Sequence, residues 1–508
     1  MMRTIVVGWL LFASVTANAA DTPPASTDSH PVARAQRTHN RQPVVTLGAF
    51  AETQLPAGRF GMATVYIPEG RPQSVAIFLS GDGGWHLGVI NMARALQKAG
   101  ALVIGVDVTH YLGALHLKGK AAAACQSLAG DFENLSHGLQ KQMGFREYHV
   151  PVLVGYSSGA TVVYATLVQS PPGTFAGALS LGFCPDQDFG GAGLCPGAGL
   201  HYSAGKKTDL IFQPAKTLRQ PWIALQGQQD QVCSAQAVDE FGAQTPEAQI
   251  IRLPKVGHGF GVERNWLPQF LDAYQSVVER SNAPRKLRPQ QITDLPVNEV
   301  HSESPSDEFA VLLTGDGGWA GLDQELAARL AASGVPTVGL NSLKYFWTER
   351  TPDEAANDVS RIIRYYMSSW NKKRVLLVGY SFGADVLPFV MNRLPAELRA
   401  QVASMSLLGI DSNASFEVRV GDWIGEDAAG PPTRPELASL QGTPVLCIYG
   451  EGEKDTICPS LPSARVHSEE VGTGHHFGGE YSQLADRILA FAKVAKPAPA
   501  IRPGPPVT

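Results

Sequence analysis

Short apolar runs alternate with segments of helical periodicity over most of the chain. A short apolar run that ends at glycine or a polar turn is typical of a buried parallel strand, and apolar positions three or four residues apart are typical of an amphipathic helix. In the first half, the pattern predicts strands at Ala63–Ile67, Ser74–Leu79, Ala101–Val108, Val150–Tyr156, Ala176–Leu181, Trp222–Gln226 and Gln249–Leu253. In the second half, it predicts strands at Phe309–Leu313, Thr337–Leu340, Val375–Val378, Ala403–Leu408, Val445–Tyr449 and Arg465–Val471. Strands that alternate with helices predict an α/β protein with a doubly wound, mostly parallel sheet in each half.

One predicted strand leads into a sharp turn that carries a serine. The turn Gly379-Tyr380-Ser381-Phe382-Gly383 follows Val375–Val378 and precedes a helical pattern. A G-x-S-x-G between a strand and a helix is typical of the nucleophile elbow of α/β-hydrolases, where the serine Oγ is exposed. A serine that only caps the helix is the alternative interpretation. The segment Val152–Ala160 repeats the same elements around Ser157.

The surrounding motifs repeat in the same order, which predicts two tandem α/β-hydrolase-like domains. The pairs Asp82 and Asp316, Ser157 and Ser381, Asp230 and Asp455, and His258 and His475 are separated by 217 to 234 residues. Near-constant spacing over four motifs indicates duplication of a whole domain and not a short-repeat solenoid. We expect a signal peptide at 1–20, a flexible lead-in at 21–43, domains at 44–281 and 298–495, a linker at 282–297 and a disordered proline-rich tail at 496–508.

The N-terminus predicts export. Arg3 precedes the apolar run Ile5–Val15 and the small residues Ala17-Asn18-Ala19, the features of a cleaved secretory signal. The chain has six cysteines, which would meet oxidising conditions after export. Cys184 and Cys195, and Cys447 and Cys458, are close enough in sequence to pair, although the connectivity stays open. No metal-ligand spacing supports a metal site, and we expect neither a metal nor a cofactor.

The order nucleophile, acid, base of α/β-hydrolases assigns a triad to each half. In the second half it selects Ser381, Asp455 and His475, with Glu453 as the alternative acid. In the first half it selects Ser157, Asp230 and His258. A serine hydroxyl needs a histidine to take its proton, and the histidine needs a carboxylate to fix its tautomer. Of the neighbours His475 and His476, the match to Gly257-His258-Gly259-Phe260 selects His475 as the base.

The two Gly-Asp-Gly-Gly-Trp turns predict oxyanion holes. Such a hole needs the N–H of the residue after the nucleophile and a second N–H from an earlier loop. We expect Phe382 and Gly317 to donate in the second half and Ser158 and Gly83 in the first. A phosphate loop is disfavoured because neither G-K-[ST] nor G-x-G-x-x-G is present. Asp82 and Asp316 in these turns could cap the next helix or face a cationic substrate. Asp385, Glu451 and Glu453 near the rim are given no role there, because solvated surface charges are equally expected.

Composition limits the function classes. The chain has 508 residues and a net charge of −5, which gives no sign of a nucleic-acid surface or a polybasic membrane patch.

The paired glycine-rich turns, the elbow motif G-Y-S-F-G-A-D-V-L-P-F and the base motif G-H-H-F resemble the VirJ/AcvB family of bacterial virulence proteins. The resemblance covers most of the chain after the predicted signal. It implies a periplasmic α/β-hydrolase that removes the amino acid from lysyl-phosphatidylglycerol at the membrane surface, and it places the family's catalytic serine at Ser381. It also implies links to virulence and to type IV secretion components as partners. A non-catalytic periplasmic component that assists type IV secretion is the alternative, since a fold alone does not prove turnover.

The two halves differ in one insertion. Gln187–Gly205 is rich in glycine and contains one of the cysteines, and long loops of this kind are usually functional or mobile. We expect it to cover or reshape the Ser157 site, so that the second half is the principal catalyst.

Overall fold

A computed structural model describes residues 47, 49–115, 125–282, 292–419, 430–479 and 481–494. The predicted signal peptide, lead-in and C-terminal tail, and most of the linker, lie outside these residues. Residues from Val44 onward form one compact unit that contains both large sheets, so the predicted domain boundaries stay a prediction. Among the described residues, no helix combines the length and the apolar character needed to span a bilayer.

The first half is built on an eight-stranded sheet with the order β1-β2-β4-β3-β5-β6-β10-β11. The strands β1 and β2 run antiparallel at one edge, and the six others are parallel to one another. Their bounds are β1 Ala51–Pro56, β2 Met62–Ile67, β3 Ser74–Leu79, β4 Ala101–Val106, β5 Val152–Tyr156, β6 Gly177–Leu181, β10 Trp222–Gly227 and β11 Ala248–Leu253. The helices are α1 Leu87–Lys98, α2 Val108–Ala114, α3 Leu128–Gln142, α4 Ser158–Gln169, α5 Ala235–Gly242 and α6 Leu267–Asn282.

The second half repeats this arrangement with one fewer edge strand. Its seven-stranded sheet has the order β12-β14-β13-β15-β16-β17-β18, and only β12 is antiparallel to its neighbour. The strands are β12 Val297–Val300, β13 Glu308–Leu313, β14 Thr337–Leu340, β15 Arg374–Tyr380, β16 Val402–Leu408, β17 Val445–Glu451 and β18 Val466–Thr473. The helices are α7 Gly321–Ala332, α8 Ser342–Tyr345, α9 Pro352–Ser369, α10 Phe382–Arg393, α11 Ala396–Arg399, α12 Thr433–Ser439 and α13 Tyr481–Val494.

The predicted strands are all present, and the predicted fold class of tandem, mostly parallel α/β sheets is confirmed. The central strands are recognisable in sequence because helices cover both faces, so that every residue of β4 or β16 is buried. The antiparallel edge strands β1 and β12 were not predicted. In β1 every second residue is exposed, and β12 has only four residues, so neither strand has a continuous apolar run.

The predicted insertion Gln187–Gly205 forms part of a small three-stranded sheet that extends beyond it on both sides. Its strands are β7 Asp186–Asp188, β8 Tyr202–Ala204 and β9 Asp209–Phe212, in the order β7-β9-β8. Cys195 of this segment forms a disulfide with Cys125, and its backbone N–H donates to the Gln126 carbonyl at 3.0 Å. The disulfide therefore ties the insertion to the start of α3.

Two further disulfides are present, one in each half. Cys447–Cys458 is confirmed, whereas the expected pairing of Cys184 with Cys195 is wrong, because Cys184 pairs with Cys233. The reason is topological: β6 and β10 are neighbours, so the turns that follow them bring Cys184 and Cys233 together. Sequence proximity alone did not carry this information.

Helix α3 and the loop after it pack against the second half. The indole N–H of Trp347 donates to the Phe145 carbonyl at 2.8 Å, and Tyr148 is buried in a hydrophobic cluster of second-half residues. The Lys141 ammonium lies 4.6 Å from the centre of the Trp347 ring and 3.1 Å from Glu417 Oε1. The two halves therefore share a packed interface in which Trp347 is almost fully buried.

The Trp347 interface should make the two halves unfold cooperatively. We expect Trp347→Ala to lower the free energy of unfolding by about 3–5 kcal/mol, the usual cost of deleting a large buried aromatic side chain. It should also separate a single calorimetric transition into two, since fewer contacts would couple the halves. Differential scanning calorimetry of the two proteins measures both effects. Trp370→Ala, which changes a tryptophan within the second half, is the control and should leave the transition single. An unsplit transition in Trp347→Ala would show that this interface does not couple the halves.

Candidate active site

The two elbow serines have the same strained backbone. Ser381, between β15 and α10, has φ 51° and ψ −120°, and Ser157, between β5 and α4, has φ 54° and ψ −121°. A non-glycine residue with positive φ is held there only by its surroundings and is common at active sites. Gly383, two residues after Ser381, permits the close approach of α10 to the sheet, since a Cβ at Gly383 would lie 2.2 Å from the Leu313 carbonyl oxygen. Helix capping does not explain these serines, because neither side chain forms a cap hydrogen bond.

In the second half, three side chains form a hydrogen-bonded chain. His475 Nε2 lies 2.8 Å from Ser381 Oγ, and His475 Nδ1 lies 2.5 Å from Glu453 Oε1. The second carboxylate oxygen of Glu453 accepts from the Gly450 N–H at 2.9 Å, which fixes the carboxylate. This arrangement places a base on the serine and an orienting acid on the base, as nucleophilic catalysis requires.

The acid of the second half is Glu453, and the choice of Asp455 is corrected. Asp455 is exposed, whereas the Glu453 side chain is 4 % exposed. The sequence match paired Asp455 with Asp230 because each lies three residues before a cysteine. Glu453 is the third residue after Gly450 of β17, and Asp230 is the third residue after Gly227 of β10. Their N–H groups donate to the carbonyls of Gly450 and Gly227, respectively. Two additional residues in the second half displace Asp455 beyond this turn.

The electrostatics of the second site favour a charged histidine. Burial alone would lower the pKa of His475, but the hydrogen bond and charge of Glu453, with Asp316 and Asp455, raise this pKa above the usual value. Burial would raise the pKa of Glu453, but hydrogen bonds from His475 and the Gly450 N–H lower it. Burial and the charge of His475 lower the pKa of His476, whose Nδ1 lies 2.8 Å from the Tyr380 hydroxyl. Glu453 therefore stabilises the imidazolium that forms when His475 takes a proton.

The first half brings its three predicted residues together in the same way. His258 Nε2 lies 2.9 Å from Ser157 Oγ, and His258 Nδ1 lies 2.9 Å from Asp230 Oδ2. Asp230 Oδ1 accepts from the N–H groups of Val232 and Cys233. Asp230, Cys233 and His258 also have the spacing of a metal site. The Cys233 sulfur is bonded to Cys184, so it cannot act as a thiolate ligand.

Sequence reasoning missed two residues that shape each triad. A Cβ at Gly409 would lie 2.9 Å from both Glu453 Oε1 and His475 Cε1, so any side chain at this position would displace the acid and base. Gly182 lies against His258 in the same way. The elbow tyrosines Tyr380 and Tyr156 direct their hydroxyls to the carbonyls of His475 and His258. The repetition of both features in the two halves was the available signal.

The glycine-rich turns lie beside the nucleophiles. A Cβ at Gly315 would lie 3.6 Å from Ser381 Cβ, and a Cβ at Gly81 would lie 2.9 Å from Ser157 Cβ. The oxyanion roles of Gly317, Phe382, Gly83 and Ser158 stay predictions. The helix-capping role of Asp82 and Asp316 is wrong, because His86 and Ala320 occupy the N-caps and no side chain caps them.

The acidic residues near the second site have different environments. Asp385 is not a solvated surface charge, since burial raises its pKa and it accepts from the Asp411 N–H at 2.7 Å. Glu451 is exposed. Asp316 lines the cavity that opens at Ser381.

The cavity at Ser381 has a volume of about 370 Å³ and walls from both halves. The second half contributes the triad serine and histidine, His476, Tyr481 and the turn Gly315–Gly318. The first half contributes residues from α3 and from the loop after α4, namely Glu133, Asn134, His137, Pro171 and Thr174. Gln324 holds this loop in place, since its side-chain amide donates to the carbonyls of Pro172 and Trp319 at 2.8 and 2.9 Å. No sequence pattern indicated this wall, because it forms only at the contact of the two halves.

A family model described as bacterial virulence protein (VirJ) matches residues 73–176 and 307–496, more than half of the chain. The chain belongs to the VirJ family. The first matched segment contains Ser157 and ends before Asp230, and the second contains Ser381, Glu453 and His475. A comparison with curated proteins gave no match.

Among solved structures, the chain is similar to the esterase domain of a Rhodothermus marinus protein, with 16% identity, 46% of this chain and 98% of that chain covered, and a TM-score of 0.30. It is similar to XC6422 from Xanthomonas campestris, an α/β serine hydrolase without a lid, with 18% identity and a TM-score of 0.30. The match covers 48% of this chain and 100% of that chain. It is also similar to an α/β serine hydrolase homologue from Coxiella burnetii, with 16% identity and a TM-score of 0.29. The match covers 47% of this chain and 99% of that chain.

The assignment of Glu453 predicts a characteristic pH dependence. In a Ser157→Ala background, labelling of Ser381 by a fluorophosphonate should rise with pH as His475 loses its proton, with a midpoint above the usual histidine value of about 6.5. Glu453→Gln should slow labelling by about 10³- to 10⁴-fold and move this midpoint down, because the charge that raises the pKa of His475 is lost. Peptide mass spectrometry over a pH series measures both.

Asp455→Asn is the matched control for Glu453→Gln. Its labelling rate should change by less than about fivefold, since an exposed charge acting at a distance is worth at most about 1 kcal/mol. If Asp455→Asn lost as much as Glu453→Gln, the acid would be misassigned.

Proposed function

We propose that this protein is a periplasmic serine esterase that cleaves the aminoacyl ester of lysyl-phosphatidylglycerol into lysine and phosphatidylglycerol. The observation that carries the esterase part is the hydrogen-bonded chain from Ser381 through His475 to Glu453, of which Ser381 and His475 line a cavity. The lipid substrate rests on the resemblance to the VirJ/AcvB family.

The first step forms an acyl-enzyme. Ser381 Oγ attacks the ester carbonyl of the lysyl group while His475 Nε2 takes the hydroxyl proton, and Glu453 stabilises the resulting imidazolium. The N–H groups of Phe382 and Gly317 are the proposed donors to the oxyanion. His475 then gives its proton to the departing glycerol oxygen, which releases phosphatidylglycerol and leaves lysine esterified to Ser381.

The second step restores the serine. His475 takes a proton from a water molecule, and the resulting hydroxide attacks the lysyl ester of Ser381. The proton then returns to Ser381 Oγ, and free lysine leaves. The reaction consumes one water and needs no cofactor, since every proton is carried by His475.

The size of the cavity fits a headgroup. Ligand pockets usually measure about 300–1,000 Å³, and a volume of about 370 Å³ is at the lower end of this range. A lysyl-glycerol group would enter the cavity, and the acyl chains of the lipid would stay outside it. Hydrolysis at the surface of the membrane would therefore not require extraction of the whole lipid.

The second half is proposed as the principal catalyst because the oxyanion regions differ. In the first half, the Ser158 hydroxyl donates to the Asp82 carboxylate, which holds a negative charge beside the N–H of Ser158. A carboxylate there would repel an oxyanion. In the second half the residue at this position is Phe382, which has no hydroxyl to hold Asp316 in the same place. The intact triad of the first half argues against an idle site, so the assay must compare both serines.

The division of labour predicts unequal losses on lysyl-phosphatidylglycerol. Ser381→Ala should lower turnover by about 10⁴- to 10⁶-fold, the usual cost of removing a triad nucleophile, whereas Ser157→Ala should keep most of the activity. Lysine release from vesicles measures both variants. Equal losses would show that both sites turn over substrate or act together. If both variants kept full activity, the esterase assignment would fail, and a non-catalytic role in type IV secretion would become the better proposal.

Export predicts a processed N-terminus. We expect mass spectrometry of a periplasmic fraction to find a chain that begins near Ala20, since residues 1–20 have the features of a cleaved signal. The cytoplasmic fraction is the control. An uncleaved N-terminus retained in the membrane would contradict the proposed location.

A further inference from the structure

The cavity at Ser381 has carboxyl groups from both halves on its walls. Glu133 comes from α3 of the first half, Asp316 from the glycine-rich turn and Asp323 from α7. Among the described residues, the Glu133 carboxylate forms no hydrogen bond or ion pair, although it is only partly exposed. An unpaired carboxylate in such a place is costly, because partial burial removes the water that would otherwise stabilise its charge, and a proton or a bound cation offsets that cost.

The carboxylate of Glu133, a residue of α3, packs against the glycine-rich turn that also contacts Ser381. A Cβ at Gly317 would lie 3.5 Å from Glu133 Oε1, and a Cβ at Gly315 would lie 3.6 Å from Ser381 Cβ. Gly315 and Gly317 are two residues apart in this turn, so Glu133 and Ser381 lie against the same short segment of backbone and line the same cavity. An acyl group on Ser381 that extends along this turn would bring the end of its side chain toward Glu133, and lysine carries its ammonium at the end of a four-carbon stem.

A second carboxyl of the cavity also lacks a full set of partners. Asp323 is 3 % exposed, and among the described residues its Oδ1 has no hydrogen-bond partner. Burial raises the pKa of Asp323 well above the usual value, with a contribution from Asp316. Burial and the charge of Asp316 likewise raise the pKa of Glu133 to about 8. These raised pKa values favour neutral carboxyl groups in the empty cavity at neutral pH, and a bound cation would favour their charged form.

The first site has no counterpart of Glu133. A Cβ at Gly83, which corresponds to Gly317, would meet no described atom within 4 Å. The corresponding aspartate, Asp82, accepts a hydrogen bond from Ser158. The carboxylate supplied by the other half is therefore a property of the Ser381 site.

We propose that Glu133 of the first half binds the side-chain ammonium of the aminoacyl group that Ser381 attacks, and so selects esters of long cationic amino acids. This rests on the proposed esterase function of Ser381. The α-ammonium of the substrate lies next to the ester carbonyl, and Asp316 is the acidic residue of the turn beside Ser381. Glu133, at the far end of the turn, then meets the cation at the end of the side chain. The first half thus supplies a specificity-determining residue to the site of the second.

Two soluble esters test the proposal in the full-length Ser157→Ala protein. The p-nitrophenyl esters of lysine and norleucine have side chains of similar length, and only lysine carries the terminal ammonium. We expect Glu133→Gln to lower the ratio of kcat/KM for lysine to that for norleucine by about 10- to 100-fold, the scale of one charge-assisted hydrogen bond. Hydrolysis of the norleucine ester should stay within about twofold of the parent, since that ester makes no such bond.

Two further variants separate specificity from folding. Glu325→Gln removes the same charge from an exposed residue of α7 that does not line the Ser381 cavity, and the ratio should not change. Glu133→Asp keeps the charge on a shorter stem and should restore part of the preference. An unchanged norleucine rate in Glu133→Gln shows that the fold and the triad remain intact.

The outcomes distinguish this proposal from the esterase function. If the esters are hydrolysed in a Ser381-dependent way and Glu133→Gln keeps the lysine preference, the role of Glu133 is overturned and the esterase function stands. If neither ester is hydrolysed, the esterase function fails, and calorimetric binding of lysinamide and norleucinamide decides about Glu133. Tighter binding of lysinamide that Glu133→Gln abolishes would support the cation site, and equal binding of the two amides would overturn it.

Discussion

The close contact between strand and helix at each elbow is the constraint on which both sites depend. A Cβ at Gly379 would lie 2.5 Å from the Gly383 carbonyl oxygen, and a Cβ at Gly383 would lie 2.2 Å from that of Leu313. With glycine at both positions, α10 can begin directly against the sheet, and Ser381 is forced to positive φ. The strain is held by the buried parallel strands on either side, so the serine is presented at a fixed point above the strand ends. The acid and base turns follow strands of the same sheet, and their positions are fixed by the same edge.

How far the sequence predicts this protein depends on the range of the interaction that decides each feature. The central strands could be predicted because covering both faces of a parallel sheet requires continuous apolar runs. The contact of each serine with its histidine could be predicted because each residue lies in a short motif. The acid could not be fixed, since two carboxylates two residues apart compete, and only the turn after β17 places Glu453 on His475. Cys184–Cys233 and the wall that contains Glu133 depend on which elements become neighbours, and no local pattern records that.

The two halves keep the same arrangement of serine, histidine and carboxylate and differ in the residues around it. Both keep a serine, a histidine and a carboxylate within hydrogen-bond distance, so the reactive constellation is a property of the duplicated sheet. They differ at the residue after the nucleophile, where Ser158 engages Asp82 and the corresponding residue is Phe382. The Ser158 hydroxyl holds Asp82 of the glycine-rich turn beside the predicted oxyanion donor, and Phe382 has no such hydroxyl to offer Asp316. The acid differs as well, since Asp230 contacts His258 in the first half and Glu453 contacts His475 in the second, so the halves diverge both in the acid and in the surroundings of the nucleophile.

The interface between the halves gives a physical reason for keeping the first half even if its own serine contributes little to turnover. The second sheet can assemble its triad from its own strand ends, but those turns leave the side of the cavity above Gly317 without a wall of their own. Helix α3 closes that side, and the Trp347 and Lys141 contacts near its end hold the helix against the second half. A change in this packing would move Glu133 relative to Ser381 without altering any triad distance. Selectivity for the acyl group would then depend on inter-half packing, whereas the hydrolytic step would depend only on the second sheet.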